Sequence, residues 1–196
     1  MPPEAKIKEY MTSPPEPYRL NLPVTFESIL YLLSKGHRFN RYHLLKMIYY
    51  ADRKHLFDYG APITGDSLMA MSHGPVPSTA YDIVKAACGE GNCLSEKVQF
   101  QVVDIIGSDE YGGNFYPKRE PNLDYLSPSA KGCLDWAFDH VLPKSFQELK
   151  DETHLHSGFK AADENDNMST WEIIKDAEDP ESLREYLEEA LDGSNS

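Results

Sequence analysis

The chain has 196 residues, of which 40% are hydrophobic and 11% aromatic, a composition typical of a folded protein and enough for one domain with a buried core. No apolar run reaches the roughly 18 residues of a membrane-spanning helix, and the N-terminus lacks the apolar stretch of a secretory signal. Three cysteines without an export signal favour reduced thiols and a cytoplasmic location, with no membrane partner.

The net charge of −13 is unevenly distributed along the chain. Residues 147–196 hold 15 acidic and 4 basic side chains, so −11, whereas residues 1–146 contribute only −2. A duplex-binding protein needs a basic face, so DNA binding is disfavoured as the main function. The acidity is compatible with a basic protein partner, and equally with a solvated acidic tail that only aids solubility.

In chain order, the first segment is rich in proline. Residues 1–23 contain six of the fourteen prolines, and a stretch such as "SPPEPY" favours extended or polyproline-like backbone, so a flexible arm is predicted. A first helix is expected from Thr25, within "TFESILYLLSKG", and Gly36 is positioned to end it.

A second helix is predicted from Arg41 to Tyr59, with Asn40 as its N-cap and Gly60 at its end. The next segment contains a short strand in "SLMAM" and a stiff loop in "SHGPVPS". Ser78 is then positioned to cap a third helix.

The middle of the chain predicts strands, and the rest predicts helices. "KVQFQVVDII" is rich in β-branched residues and partly alternates, and "NFYPKR" could return as its partner strand. Later helices begin after the candidate caps Ser127, Ser145 and Asp179. The predicted fold is therefore α+β: a mostly helical single domain with a small antiparallel β-sheet or hairpin inserted.

Asp52 and His55 are the least expected residues of the second helix, because both fall on its apolar face. A buried carboxylate needs hydrogen-bond donors, which the loops after the helix could supply. The same pair could instead be a carboxylate that orients a catalytic imidazole, although neither Ser72 nor Ser78 is fixed as a nucleophile. The interpretation adopted is a structural polar clamp made of Asp52, His55, Thr64, Asp66, His73, Gly74 and Pro75.

The opposite face of the same helix combines basic and aromatic residues, a mixture that suits protein interfaces and single-stranded nucleic acid. Cover by a sheet or by another helix would explain its aromatic residues equally well. The candidate partner-binding residues on this face are Tyr42, Lys46, Tyr50, Arg53 and Phe57.

Enzyme and metal motifs are mostly missing from the sequence. There is no HExxH, GxSxG, Walker A or GxGxxG pattern. Cys88 and Cys93 lack a second pair, Cys133 is isolated, and the HxH of His154 and His156 has no ligand placed beside it. No catalytic residue, metal or cofactor is therefore predicted.

The stretch "LLKMIYYADRKHLFDYGAPITGDSLMAMSHGPVPSTAYDIV", Leu44 to Val84, closely resembles the signature of the Panacea domain family, the SocA-like antitoxins that include phage-associated GepA-type proteins. "LSPSAKGCLDWAFDHV" and "ELKDETHLHSGFKAA" resemble later family segments, so the resemblance covers about Phe26 to Ala162. Two features depart from the family: Ser157-Gly158-Phe159 replaces its usual Gly-Pro-Trp-like step, and both ends of the chain lie outside its pattern.

The resemblance implies a non-enzymatic antitoxin that binds and neutralises a protein toxin encoded by an adjacent gene. It implies a Panacea-like domain over residues 24–162; the residues outside the family pattern that follow, 163–196, are predicted from their own composition to form an acidic, partly helical extension. Two alternatives remain open. One is a proteolytic adaptor that delivers the toxin to a cytoplasmic protease, as one family member does. The other is a hydrolase or metal enzyme that uses Asp52 and His55, with His73 and His154 as possible further groups.

Overall fold

The computed structural model describes residues 16–109 and 113–193, so most of the predicted proline-rich arm, residues 1–15, lies outside the described residues. The α-helices are α1 (Leu22–Ser34), α2 (Arg41–Tyr59), α3 (Ser78–Ala87), α4 (Glu96–Ile105), α5 (Pro128–Val141), α6 (Phe146–His154), α7 (Ser157–Ala161), α8 (Thr170–Ile173) and α9 (Pro180–Gly193). The strands are β1 (Leu68–Met71), β2 (Gly74–Pro77), β3 (Ile106–Ser108) and β4 (Phe115–Pro117). Short 3-10 turns span Leu123–Tyr125 and Ile174–Asp176.

The strands form two antiparallel pairs, β1 with β2 and β3 with β4. This arrangement confirms the predicted α+β class, in which helices dominate and the β-structure is small. None of the helices in residues 16–109 and 113–193 is both long enough and apolar enough to be a candidate membrane span.

The prediction of a loop at "SHGPVPS" is wrong, because Gly74 to Pro77 form strand β2. The Ser78 N–H donates to the Ser67 carbonyl at 2.9 Å, which continues the ladder beyond the strand ends. Hydrogen-bonded pairs alternate along an antiparallel ladder, so Pro75 and Pro77 fall at positions where no N–H is needed.

The prediction of a strand over "KVQFQVVDII" is also wrong for nearly its whole length. Residues 96–105 form helix α4, and only the final Ile106 enters a strand, β3. In the helix, Val98, Val102 and Ile105 pack inward at spacings of four and three residues. Tertiary burial of this stripe overrides the β-propensity of the individual residues.

Helix α2 lies at the centre of the fold and packs mainly against α5, with β2 and α6 also in contact. Helix α1 begins at Leu22, three residues before the predicted start, because the Asn21 side chain caps it by accepting from the Val24 N–H at 3.3 Å. The predicted bounds of α2 agree with the structure, including the Asn40 cap and the left-handed Gly60.

The segment after residue 162 packs on the β1–β2 hairpin. The Ala70 N–H donates to the Asp166 carbonyl at 2.9 Å, and the Met168 N–H donates to the Leu68 carbonyl at 2.7 Å. Trp171 is buried in the same core as helix α2. Apolar residues on both sides of position 162 therefore share one core, while the division into domain and extension stays a prediction.

Candidate functional site

The Asp52 carboxylate is buried and is held by Thr64. The Thr64 N–H donates to Asp52 Oδ1 at 2.9 Å, and the Thr64 hydroxyl donates to Oδ2. Burial raises the pKa of the Asp52 carboxyl to about 7, against the opposing effect of the two hydrogen bonds from Thr64. The turn after α2 thus supplies the donors that a buried carboxylate requires.

Asp66 performs a related function at the start of helix α3. Its carboxylate accepts from the Thr79 N–H at 3.0 Å and the Ala80 N–H at 2.9 Å, two of the free donors of a helix N-terminus. The expectation that Ser78 caps this helix is wrong: the N-cap position is Pro77, which makes no side-chain hydrogen bond there. The cap comes from a residue more than ten positions upstream.

Thr64 joins these two contacts and adds a third. Its hydroxyl oxygen accepts from the Asp66 N–H at 3.1 Å, and its carbonyl accepts from the Asn21 N–H at 2.8 Å. One buried threonine therefore connects the starts of α1 and α3 to the middle of α2. We call the contacts of Asp52, Thr64 and Asp66 the Thr64 cluster.

His55 lies outside the Thr64 cluster and has partners of its own. Its Nδ1 is hydrogen-bonded to the Ala61 carbonyl, which requires a proton on Nδ1. Nε2 lies 3.1 Å from the Ser129 hydroxyl in the first turn of α5, and Ser129 is in turn 2.8 Å from the Ser127 hydroxyl. His55 thus links the end of α2 to the start of α5 rather than pairing with Asp52.

The "HGP" part of the predicted clamp lies elsewhere. Gly74 has φ of +97°, and a Cβ atom there would come within 2.5 Å of the Thr153 hydroxyl and 2.8 Å of Lys46 Nζ. The Pro75 carbonyl accepts from Lys46 Nζ at 2.8 Å. The exposed ring of His73 contacts Phe146, with ring centroids 5.2 Å apart. Gly74 and Pro75 therefore lie against the Lys46 amine, His73 packs on Phe146, and none of the three joins the Thr64 cluster.

Two of the candidate partner-binding residues on the second face of α2, Lys46 and Tyr50, are buried, at 1% and 2% exposed, so for them the alternative of cover by other elements is correct. The physical reason is that α5, α6 and strand β2 cover this face. Burial lowers the pKa of the Lys46 ammonium to about 7, and within residues 16–109 and 113–193 no salt bridge joins it to a carboxylate.

One turn further along α2, two tyrosines meet polar side chains from α6 and the residues after it. The buried Tyr49 hydroxyl lies 2.7 Å from His156 Nδ1, and burial lowers the pKa of His156 to about 4. Burial raises the pKa of Tyr50, and the Glu152 carboxylate adds to that shift. Glu152 also binds His140 at 2.8 Å.

Burial alone would raise the pKa of the Glu152 carboxyl, yet the hydrogen bonds from Lys144 and His140 lower it to about 2. The Lys144 amine lies 2.5 Å from Glu152 Oε2. Glu152 therefore stays ionised at neutral pH, between α5 and α6.

Arg53, Phe57 and Tyr42 complete the predicted partner-binding set, and all three are partly buried. The Arg53 guanidinium donates to Asp176 at 2.9 Å and lies 4.5 Å from the centre of the Phe57 ring. Asp176 also accepts from the Ser157 N–H at 2.9 Å. The Tyr42 ring packs on Phe146 at 4.5 Å. These contacts are internal, and whether any of the five residues touches a partner stays a prediction.

Sequence reasoning missed most of the partners on the covering elements, notably Glu152, Thr153 and Asp176. The sequence indicated these partners only indirectly, because the charged and aromatic residues on the second face of α2 need contacts. The alternative that another helix covers this face is the one that would have predicted such partners. In the described part of the chain, no group of three or more His, Cys, Asp or Glu side chains could hold a metal ion.

A sequence model of the family described as "Antitoxin SocA-like, Panacea domain" matches residues 44–158, more than half of the chain. The chain belongs to this family. No curated protein and no solved structure matches it.

The Panacea match begins in the first turns of α2 and ends within α7. It includes Asp52, Thr64 and Asp66, and also the contacts Lys46–Pro75 and Tyr49–His156. Asn21 and Asp176, which extend these contacts, lie outside the matched range. The internal polar contacts of α2 are thus largely a feature of the Panacea domain itself.

Proposed function

We propose that this Panacea protein is an antitoxin that binds a cognate protein toxin and neutralises it by direct contact. The observation that carries the proposal is the family match over residues 44–158. The proposal includes the prediction that an adjacent gene encodes the toxin.

The geometry around α2 supports a binding function. Asp52 and His55, the strongest catalytic candidates in the sequence, are each held in a separate contact that joins structural elements. A scaffold tied in this way holds its surface in one conformation, which lowers the entropy lost when a partner binds. The outer surface, rather than a cleft, is then where function resides.

The charge of the chain supports a basic partner. A net charge of −13 raises the rate of association with a protein of opposite charge and disfavours acidic competitors. An antitoxin gains from fast association, because free toxin acts until it is captured.

The test is coexpression of the full chain with the protein encoded by the adjoining reading frame, in bacteria whose growth that protein arrests. We expect the chain to restore growth and to purify with the toxin as a stable complex. Growth arrest that persists although the folded chain is present, with no complex recovered, would contradict the proposal. Repeating the assay in cells lacking cytoplasmic proteases separates occlusion from delivery: rescue by occlusion persists there, whereas rescue by an adaptor is lost.

A further inference from the structure

Helix α4 carries apolar side chains on two sides, and the protein covers only one of them. Val98, Val102 and Ile105 pack inward. Phe100 and Val103 project outward and are 70% and 41% exposed. The mixture of these two stripes explains why the segment resembles a strand in sequence: an apolar residue occurs at almost every second position.

A groove borders α4 on a different side, where Gln101 and the inward-packed Ile105 face α1. Tyr125, in the 3-10 turn that follows β4, is 50% exposed, and its neighbour Leu123 is 46% exposed. A cavity of about 300 Å³ lies between Tyr125, Phe26 and Ile105. We call Phe100, Val103, Leu123 and Tyr125, together with this groove, the α4 surface. Apolar patches of this kind on a soluble protein commonly mark interaction sites.

The charged rim of the α4 surface is predominantly acidic. The exposed residues around it include the four acids Glu96, Asp104, Glu120 and Asp124. Opposite charge comes from the exposed Lys97 and Lys118, while Arg119 is bound to Glu27. An apolar centre inside a charged rim is the usual anatomy of a protein interface.

We propose that the α4 surface is the docking site for the toxin, and that the toxin presents an apolar anchor flanked by lysine or arginine. The acidic rim selects this occupant, because it complements basic side chains and repels acidic ones. The inference rests on the proposed antitoxin function, since it assigns the surface through which that function acts.

Leu155 provides a matched control. It is 68% exposed, as Phe100 is, but it lies at the end of α6, on an element that packs against α2 and β2 rather than beside α4. Loss of either side chain removes a similar exposed apolar area and leaves the core intact. A difference in toxin affinity between the Phe100 and Leu155 variants therefore shows which of the two surfaces the toxin contacts.

The experiment measures the Kd of the purified adjoining-gene protein for the full-length wild-type chain, for Phe100→Ser and its matched control Leu155→Ser, and for a Phe100→Ser/Val103→Ser variant. We expect the double variant to raise the Kd at least about 30-fold, as for central interface anchors, and Leu155→Ser to change it less than about 3-fold. Asp104→Lys, on the rim, should slow association and reduce its dependence on salt. Circular dichroism and thermal melts should be unchanged, because these side chains are exposed.

The outcomes separate the two proposals. If the wild-type chain does not bind the toxin, the antitoxin proposal fails, and the docking site with it. If the wild type binds but the folded double variant binds equally well, only the α4 surface is refuted. If light scattering shows a wild-type dimer that the double variant converts to a monomer, the surface is a contact between copies of this chain, which also overturns the inference.

Discussion

Replacing Lys46 by methionine tests most directly whether the buried lysine amine on α2 destabilises the folded protein. Lys46 is almost completely buried, and its amine makes one hydrogen bond, to the Pro75 carbonyl. Methionine has a similar length and no charge, so it can fill the same space. The lysine pKa of about 7, against an ordinary value of 10.5, means that folding penalises the charged amine.

The size of this penalty follows from the pKa difference. About 3.5 pH units at roughly 1.4 kcal/mol per unit give a cost on the order of 5 kcal/mol for burying the charged amine. Removing the amine leaves the Pro75 carbonyl without that donor, which costs about 1–3 kcal/mol. The net expectation for Lys46→Met at pH 7 is therefore a gain of roughly 2–4 kcal/mol in the free energy of unfolding.

The sign of the pH dependence distinguishes this explanation from simple repacking. A lysine whose folded pKa is depressed destabilises the protein fully below about pH 7, and this penalty is relieved as pH rises toward 10.5, because in that range the unfolded chain binds a proton that the folded chain does not. The contribution of Lys46 to the free energy of unfolding of the wild type should therefore become less unfavourable, by up to about 1.4 kcal/mol per pH unit, from pH 7 to 9. Urea unfolding of both proteins at several pH values gives the difference curve, in which other titrating groups cancel. A difference that is constant with pH would refute the assignment of a buried charged amine.

Three further predictions concern the same scaffold. Asp52→Ala leaves two buried donors without their acceptor and should lower the free energy of unfolding, by more at pH 5 than at pH 7, because the raised pKa of the Asp52 carboxyl means that folding penalises its ionised form as pH rises; Asp58→Ala, which breaks a surface pair, should change it by less than about 1 kcal/mol in urea titrations. Gly74→Ala should cost about 2–4 kcal/mol by strain and clash, against about 1 kcal/mol at Gly36, where φ is +81° but a Cβ meets nothing within 4 Å; equal losses would contradict the close approach. His156 has a depressed pKa, so its contribution to stability is lost as pH falls from 6.5 through 4, and His156→Gln should weaken this acid dependence in a difference curve against wild type.

Local signals were sufficient for both boundaries of α2 and for the start of α6. Asn40 and Gly60 delimit α2 because a side-chain cap and a left-handed glycine act within one turn of the helix. Ser145 likewise forms a capping box with Glu148. The cap of α3 could not be predicted in this way, because Asp66 reaches it across the whole β1–β2 hairpin.

The burial of Lys46 and Tyr50 could not be predicted from the sequence for a different reason. Whether a helix face is covered depends on elements that arrive from distant positions, here α5 and α6. An isolated helix with basic and aromatic residues on one side has the same sequence whether that side binds a partner or the rest of the domain. By contrast, the prediction that the "ITGD" turn supplies donors to Asp52 needed only the short connection after α2, and the Thr64 contacts agree with it.

The internal contacts of α2 limit which surface residues can vary without a loss of stability. Lys46, Tyr49 and Arg53 follow one another at spacings of three and four residues along α2, and each is tied to a different covering segment. Substitutions along this row therefore act on the stability of the whole domain before they act on any partner. Helix α4 packs instead on α3 and β3 and keeps a free outer face. The outer residues of such a helix can change without disturbing the contacts of α2, and this independence supports the proposal that the α4 surface binds the partner.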